Sequence, residues 1–177
     1  MTLTFAIIGI FLGLVVVVFQ LLWMMFLIHS ALRGTDILTT PRRSIPMIID
    51  LLQQHSADTT MIYDIGCGKG GVTRALKRAF PDAGVVGIDD DRIQIFAARI
   101  QSFFFRQSIT FTRTDVFAHS LANATCIFAY IPLAIMQEIG PKLHRELKPG
   151  AIVVTNAKQF PQWSPIATTG KFFVYKR

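Results

Sequence analysis

Tyr63-Asp64-Ile65-Gly66-Cys67-Gly68-Lys69-Gly70-Gly71 is the stretch on which the fold turns. Met61–Ile65 is a short apolar run, and Val72–Phe80 carries helix formers until Pro81 and Gly84 interrupt them. Four glycines in six residues between a strand signal and a helix signal make a loop whose backbone can approach a ligand. The helix N-terminus that follows favours negative or polar groups. Working outward, the alternation repeats. Val85–Ile88 is β-branched and ends in Asp89-Asp90-Asp91, and Arg92–Phe105 has apolar residues at 93, 95, 96, 97, 100, 103 and 104. Ile109–Arg113 alternates like a strand, and Thr125–Tyr130 is apolar and runs into Ile131-Pro132. Ile135–Leu147 has helical periodicity stopped by Pro149-Gly150, and Ala151–Thr155 is again β-branched. Five strands alternating with helical segments predict βαβ units, an α/β Rossmann-like fold with a mostly parallel sheet. Asp115–Ala124 is short enough for its crossover to be little more than a turn. Lys171–Tyr175 reads as a last strand, and the short connection before it predicts an antiparallel edge pairing. Upstream, Pro41 and Pro46 punctuate the chain, and Ser44 can cap a helix running to about Gln54.

The glycine loop fits two templates. Gly66, Gly68 and Gly71 satisfy G-x-G-x-x-G, the dinucleotide fingerprint. Asp64, Gly66, Gly68 and Gly70 satisfy D-x-G-x-G-x-G, the pattern of class I methyltransferases that bind S-adenosylmethionine. Asp89, 23 residues past Gly66, suits ribose hydroxyls in either case. Asp64 separates the two templates, because a carboxylate at the strand end repels a pyrophosphate but suits the ammonium of a methionine moiety. Asp115, just after the third strand, can accept from an adenine amino group. Singly, Asp64 reads equally well as a loop staple and Asp115 as a helix N-cap. Together the four sites favour the methyl donor.

The first 32 residues are a different object. Of these, 25 are apolar and none is charged, whereas all 18 basic and 11 acidic residues follow from Arg33 onward. Leu3–Ile28 makes a helix about 39 Å long at about 1.5 Å per residue, enough to cross a hydrocarbon core of about 30 Å. No positive n-region and no A-x-A site accompany it, so a retained anchor is expected over a cleaved signal. Trp23, then Arg33, Arg42 and Arg43, suggest an interface followed by positive flanks and a domain on the cytoplasmic face. Gly9 and Gly13 form a G-x-x-x-G through which two helices could approach as a homodimer. The expected organisation is an anchor over 1–32, a linker and helix over 33–60, and a cofactor-binding domain over 61–177. The net charge of +7 is assigned to membrane apposition. Without a recognisable nucleic-acid module, no nucleic-acid partner is expected. Cys67 and Cys126 lie 59 residues apart with nothing to pair them, and the four histidines show no metal-ligand spacing, so no metal is expected. Phe103-Phe104-Phe105 reads as core or as a membrane-facing patch.

From about residue 39 onward the chain resembles the membrane-anchored lysine methyltransferases of the ATP synthase c subunit and the adenine nucleotide translocase, with their short prokaryotic relatives. The resemblance is carried by the leading helix, Thr40-Pro41, the Asp64–Gly70 loop, Gly87-Ile88-Asp89, Asp115-Val116-Phe117 and Ala129-Tyr130-Ile131-Pro132. The most distinctive part is Pro141–Gly150, containing E-L-K-P-G, then Val153-Val154-Thr155 with Trp163 and Pro165 after. Lys69 stands where that family's loop has an acid, and Asp89 where it has a glutamate. The resemblance implies S-adenosylmethionine as cofactor, held by Asp64, Gly66, Cys67, Gly68, Gly70, Asp89, Asp115 and Val116. It implies that Tyr130, followed by Pro132, lines the pocket of the target amine. Trp163 either walls that pocket or caps the C-terminal edge of the sheet. The expected activity is N-methylation of a lysine in an integral membrane protein. A lipid or quinone methyltransferase and a non-catalytic tethered scaffold are the alternatives. A prokaryotic plasma membrane is favoured over a mitochondrial inner membrane.

Overall fold

The computed structural model describes residues 2–32 and 40–177, and the flanking Arg33 lies outside them. Helix α1, Thr2–Leu32, belongs to one unit, and the described residues from 40 onward belong to a second. Leu, Ile, Val, Phe and Met fill α1 with no proline to interrupt it. Its stretch Ile7–Met25 is long and apolar enough to cross a membrane.

The second unit is a seven-stranded sheet in the order β3-β2-β1-β4-β5-β7-β6. The strands are β1 (Met61–Ile65), β2 (Gly84–Asp89), β3 (Thr110–Arg113), β4 (Cys126–Ala129), β5 (Ile152–Asn156), β6 (Ala167–Thr169) and β7 (Phe172–Lys176). The first five pair parallel with one another, and β7 runs antiparallel to both β5 and β6. Helices α2 (Ile45–His55), α3 (Gly71–Ala79), α4 (Arg92–Phe104) and α5 (Leu133–Glu146) complete the layers. Period-two alternation splits the core between the faces of the sheet. Ile62, Phe128 and Val154 pack with Ile48 and Leu52 of α2 and Leu76 of α3. Ile65, Ile127 and Val153 pack with Met136, Ile139 and Leu143 of α5. Ile95 and Ala98 of α4 meet Cys67 and Phe111 in a smaller cluster beside β3.

The parallel sheet, the short crossover before β4 and the antiparallel last pairing agree with expectation. Two details differ. Ser44 does not cap α2 with its hydroxyl. It ends a 3₁₀ turn, Arg42–Ser44, in helical conformation, and its own N–H donates to Pro41 O at 2.9 Å. Pro46 then sits in the first turn of α2, where its missing donor has no partner to lose. The second difference is β6, which makes the edge by folding back on β7 through Gly170 at φ 57. A strand of three polar or small residues leaves no apolar period to read, and the hairpin turn supplies the pairing instead.

Candidate active site

In an open α/β sheet, ligands bind at the carboxyl ends of the strands where the strand order reverses. Here the reversal lies between β1 and β4, whose following segments leave in opposite directions. Each parallel strand delivers a candidate group to that rim. Asp64 is the penultimate residue of β1, Asp89 ends β2, Asp115 follows β3 by two residues, Tyr130 follows β4 directly, and Asn156 ends β5.

The glycine loop is closed from within. Gly66 N–H and Cys67 N–H both donate to Ile88 O, at 2.8 and 3.0 Å, and Gly70 N–H donates to Cys67 O at 2.9 Å. Gly66, Gly68 and Gly70 all have positive φ, a conformation that side chains oppose. A Cβ at Gly66 would lie 2.8 Å from Ile131 Cγ2, and one at Gly70 would lie 2.7 Å from Phe111 Cζ. Those two glycines permit packing. Gly68 differs, because nothing lies within 4 Å of its Cβ position. Its backbone is therefore the open side of the loop.

Two carboxyls flank the loop. Asp64 is 2% exposed and accepts a 2.6 Å hydrogen bond from Thr73 Oγ1 on α3. Burial pushes its carboxyl up to about 7, and the charge of Asp89 adds to the shift against the Thr73 hydroxyl, which holds it down. A buried carboxyl in that condition is stabilised by an approaching cation. Asp89 is oriented by backbone: Oδ2 accepts from Gly68 N–H at 2.8 Å, and Oδ1 from Asp91 N–H at 2.9 Å. Burial raises its pKa too, and those amides oppose the shift. Cys67 is buried beneath Gly87, and burial followed by the charges of Asp64 and Asp89 pushes its thiol far up, so it stays protonated. Cys67 and Cys126 are free thiols.

Asp115 is exposed and accepts from Phe117 N–H at 2.8 Å, so it also staples its own turn. Val116 beside it is 8% exposed. Pro132 opens α5 as its N-cap residue, with backbone φ −55 and ψ 151. Tyr130 is half-buried and packs against the α2–α3 side of the core. By strand alternation Asp64, Tyr130 and Asn156 share that face, two residues beyond Ile62, Phe128 and Val154.

Trp163 is not brought to them. Its ring centroid lies 4.4 Å from that of His144, 5.4 Å from Phe160 and 5.2 Å from Tyr175, on the α5 side of the sheet. His144 sits in the last turn of α5, about 18 Å along that helix from Pro132 at about 1.5 Å per residue. Trp163 packs with the α5-side cluster and Tyr130 with the α2–α3 side, on opposite faces of the sheet.

Three groups were not foreseen. Thr73 orients Asp64 from the next helix turn. Arg74 bridges the loop to α4, donating to Lys69 O at 2.7 Å and Gln101 Oε1 at 2.8 Å. Asn156 is 0% exposed, and neither its Oδ1 nor its Nδ2 has a hydrogen-bond partner. Its only mark in the sequence is a polar residue ending the run Ile152-Val153-Val154-Thr155.

An S-adenosylmethionine molecule suits these groups: open backbone at Gly68, an oriented carboxylate at Asp89 for hydroxyls, and a buried carboxyl at Asp64 for an ammonium. Comparison with known proteins points the same way. The chain is 25% identical over 128 residues to a protein-lysine N-methyltransferase of Saccharolobus islandicus, covering 71% of this chain and 78% of that one. It is 23% identical over 117 residues to a carboxy-S-adenosyl-L-methionine synthase of Pseudoalteromonas translucida, of whose length it spans about half (48%). Among solved structures, an RNA methyltransferase of Salinibacter ruber in complex with S-adenosyl-L-homocysteine superposes with a TM-score of 0.69 at 25% identity. That match covers 78% of this chain and 91% of that one. The family model described as the ANTKMT methyltransferase domain matches residues 64–167, the span from the β1 carboxyl to the start of β6. The chain belongs to the ANTKMT methyltransferase domain family and is an S-adenosylmethionine-dependent methyltransferase.

Proposed function

We propose that this methyltransferase is anchored in a membrane by α1 and N-methylates a lysine of a membrane protein. The observation that carries the lysine reading is the common sheet face of Asp64, Tyr130 and Asn156, at the point where the strand order reverses. The relative from Saccharolobus islandicus, named as a protein-lysine N-methyltransferase, supports it. Asp64 receives the methionine ammonium, Gly68 and Cys67 bring backbone to the cofactor, and Asp89 accepts from the ribose. Asp115 and Val116 flank the adenine, and Gly66 and Gly70 let the loop close. Tyr130 and Asn156, held beside the Ile131-Pro132 turn, form the acceptor side.

The cofactor supplies an electrophilic methyl on a sulfonium. With an amine bound opposite it, transfer would be an in-line displacement, an N–C bond forming as the S–C bond breaks, with S-adenosylhomocysteine as the leaving group and the amine's proton passing to water. The protein's part is positioning and exclusion of water. The nucleophile is a neutral amine, so a neutral acceptor suits it better than a carboxylate, which would hold the ammonium form. The Asn156 Oδ1 and the Tyr130 hydroxyl are such acceptors.

The long apolar helix supports anchoring, and Arg42 and Arg43 after it support a cytoplasmic domain by the positive-inside bias. Mass spectrometry of membrane proteins and lipids from cells with and without the gene tests the substrate. Loss of a 14 Da increment (about one CH₂) from a peptide lysine is expected. Loss of a methyl from a lipid or quinone instead would overturn the protein substrate, and no change in either would overturn a membrane substrate. Protease added to sealed, right-side-out cells is expected to leave the domain intact, and digestion would reverse the orientation.

A further inference from the structure

Helix α4 is apolar on two faces. Ile95 and Ala98 are buried against Cys67 and Phe111, as the fold requires. The opposite side carries Ile93, Phe96, Ile100, Phe103 and Phe104, at the three- and four-residue spacing of a single helical stripe, and Phe105 continues it. These six are 40–79% exposed, with Phe103 and Phe104 the most exposed at 79% and 75%. A soluble surface scatters such residues singly, and a contiguous stripe marks a contact surface.

Beyond the capping Asp91, whose carboxylate accepts from Ile93 N–H and Gln94 N–H, the charges along the helix and the segment after it have one sign. From Arg92 to Arg113 the chain contains no Asp or Glu and four arginines, at 92, 99, 106 and 113. All four are exposed. Arg106 is the most telling of them. It holds φ 49 in the turn that ends α4, where Arg106 N–H donates to Phe103 O and Gln107 N–H to Ser102 O. Glycine is the residue that this left-handed closing position favours. An arginine there directly follows the Phe103–Phe105 cluster at a cost in backbone energy, and from α3 the Arg74 guanidinium lies 6.0 Å from the Phe105 ring centroid.

We infer that the outer face of α4 docks on an anionic lipid bilayer, its Phe and Ile side chains entering the headgroup–acyl boundary and its arginines meeting lipid phosphates. Aromatic and aliphatic anchors rimmed by arginine, on a helix lying parallel to the surface, are the chemistry of interfacial membrane binding. The occupant is argued from charge complementarity and from α1, the second lipid-compatible element in the chain. The inference rests on the anchored reading only in that α1 keeps a bilayer within reach. The effect of docking is to hold the loop side of the domain against the membrane, because Arg74 ties the glycine loop to Gln101 on the same helix.

The test uses the full chain reconstituted with vesicles of phosphatidylcholine, with or without phosphatidylglycerol. An environment-sensitive fluorophore is placed at Phe103→Cys or, as a control on the α5 side, at Lys148→Cys. Calorimetry with S-adenosylhomocysteine confirms that each variant is folded. On anionic vesicles the label at 103 should shift to the blue and be quenched by lipid-borne nitroxide at least twofold more than the label at 148. Adding Phe96→Ser and Phe104→Ser should bring the two positions level. A chain that floats with every vesicle but shows equal quenching at both positions overturns the docking and leaves the anchor standing. A chain that floats only with anionic vesicles at low salt, with position 103 quenched, supports the docking and overturns the anchor. Absence from all vesicles overturns both. A blue shift without lipid, growing with protein concentration or on addition of single-stranded RNA, assigns the face to a second copy or to nucleic acid and overturns the proposal.

Discussion

Asp64 makes the cofactor site and the stability of the empty protein pull in opposite directions. Its carboxyl has a pKa near 7 in the folded, ligand-free chain, above the ordinary value of 3.8, because it is buried. The folded state therefore holds that proton more tightly than the unfolded state. Its contribution to stability is full below about pH 4 and is lost as pH rises through about 7. Ligand binding needs the charged form, so S-adenosylhomocysteine affinity should weaken by about tenfold per pH unit below 7. Asp64→Asn should lower affinity by at least about tenfold at pH 8 and remove its pH dependence, while raising the ligand-free melting temperature. A variant that binds normally and melts lower would refute the assignment, leaving Asp64 a loop staple. Asn156 poses the same kind of trade. Two buried amide atoms without partners cost about 1–3 kcal/mol each. Asn156→Leu should recover about 1 kcal/mol in thermal denaturation and lower kcat at least about tenfold, with S-adenosylhomocysteine affinity unchanged. Unchanged turnover would make the residue structural. The two residues were not equally legible. Asp64 announces itself by its fixed offset from three glycines, whereas Asn156 is one polar residue after a β-branched run. Only the partnerless burial of its amide distinguishes it.

At the scale of elements, the sequence carried the parallel strands because each is a short apolar run bounded by glycine, proline or acid. It did not carry β6, whose pairing comes from a turn. The motif most characteristic of the resemblance, E-L-K-P-G at 146–150, also has a structural account. Glu146 accepts from Leu121 N–H at 2.9 Å and pairs with the buried Lys142 at 2.6 Å, which pins the helix-free crossover to α5. Gly150 takes φ 92, and its N–H donates to Arg177 O. That segment lies at the far end of α5 from the rim, so it marks the family by packing and not by chemistry. The end of α4 obeys the opposite logic. A left-handed residue other than glycine costs about 1 kcal/mol. Arg106→Gly should accordingly stabilise the domain by up to about that amount in denaturant titration, while weakening its contact with anionic vesicles. If the domain melts lower, the Arg106 guanidinium contributes more to the fold than its backbone strain removes. The choice of arginine would then need no lipid.

The molecule joins a small catalytic unit to a helix suited to lipid, and kinetics can tell whether the join matters. The sheet, its helices and the glycine loop use nearly all of the described residues of the second unit, and among these β6 and β7 are the only strands beyond the parallel five. No further unit is available among the described residues to grip a protein substrate. Within the described residues, the rim and the α4 face can contribute to recognition, and the proposed anchor would add confinement. Confinement is strong in principle, since two proteins held in one bilayer meet at an effective concentration set by area, and tethering at millimolar effective concentration can raise avidity by about 10²–10⁴. The two regimes scale differently. With enzyme and substrate in the same vesicles, diluting the vesicles tenfold should leave the initial rate per enzyme unchanged, because surface density is unchanged. With enzyme and substrate in separate vesicles, the rate should be near zero at every dilution. An enzyme that visits the membrane only transiently would instead slow with dilution in the first arrangement and work in the second. Methyl transfer between separate vesicles would therefore sink the anchored reading, even if lysine remains the target.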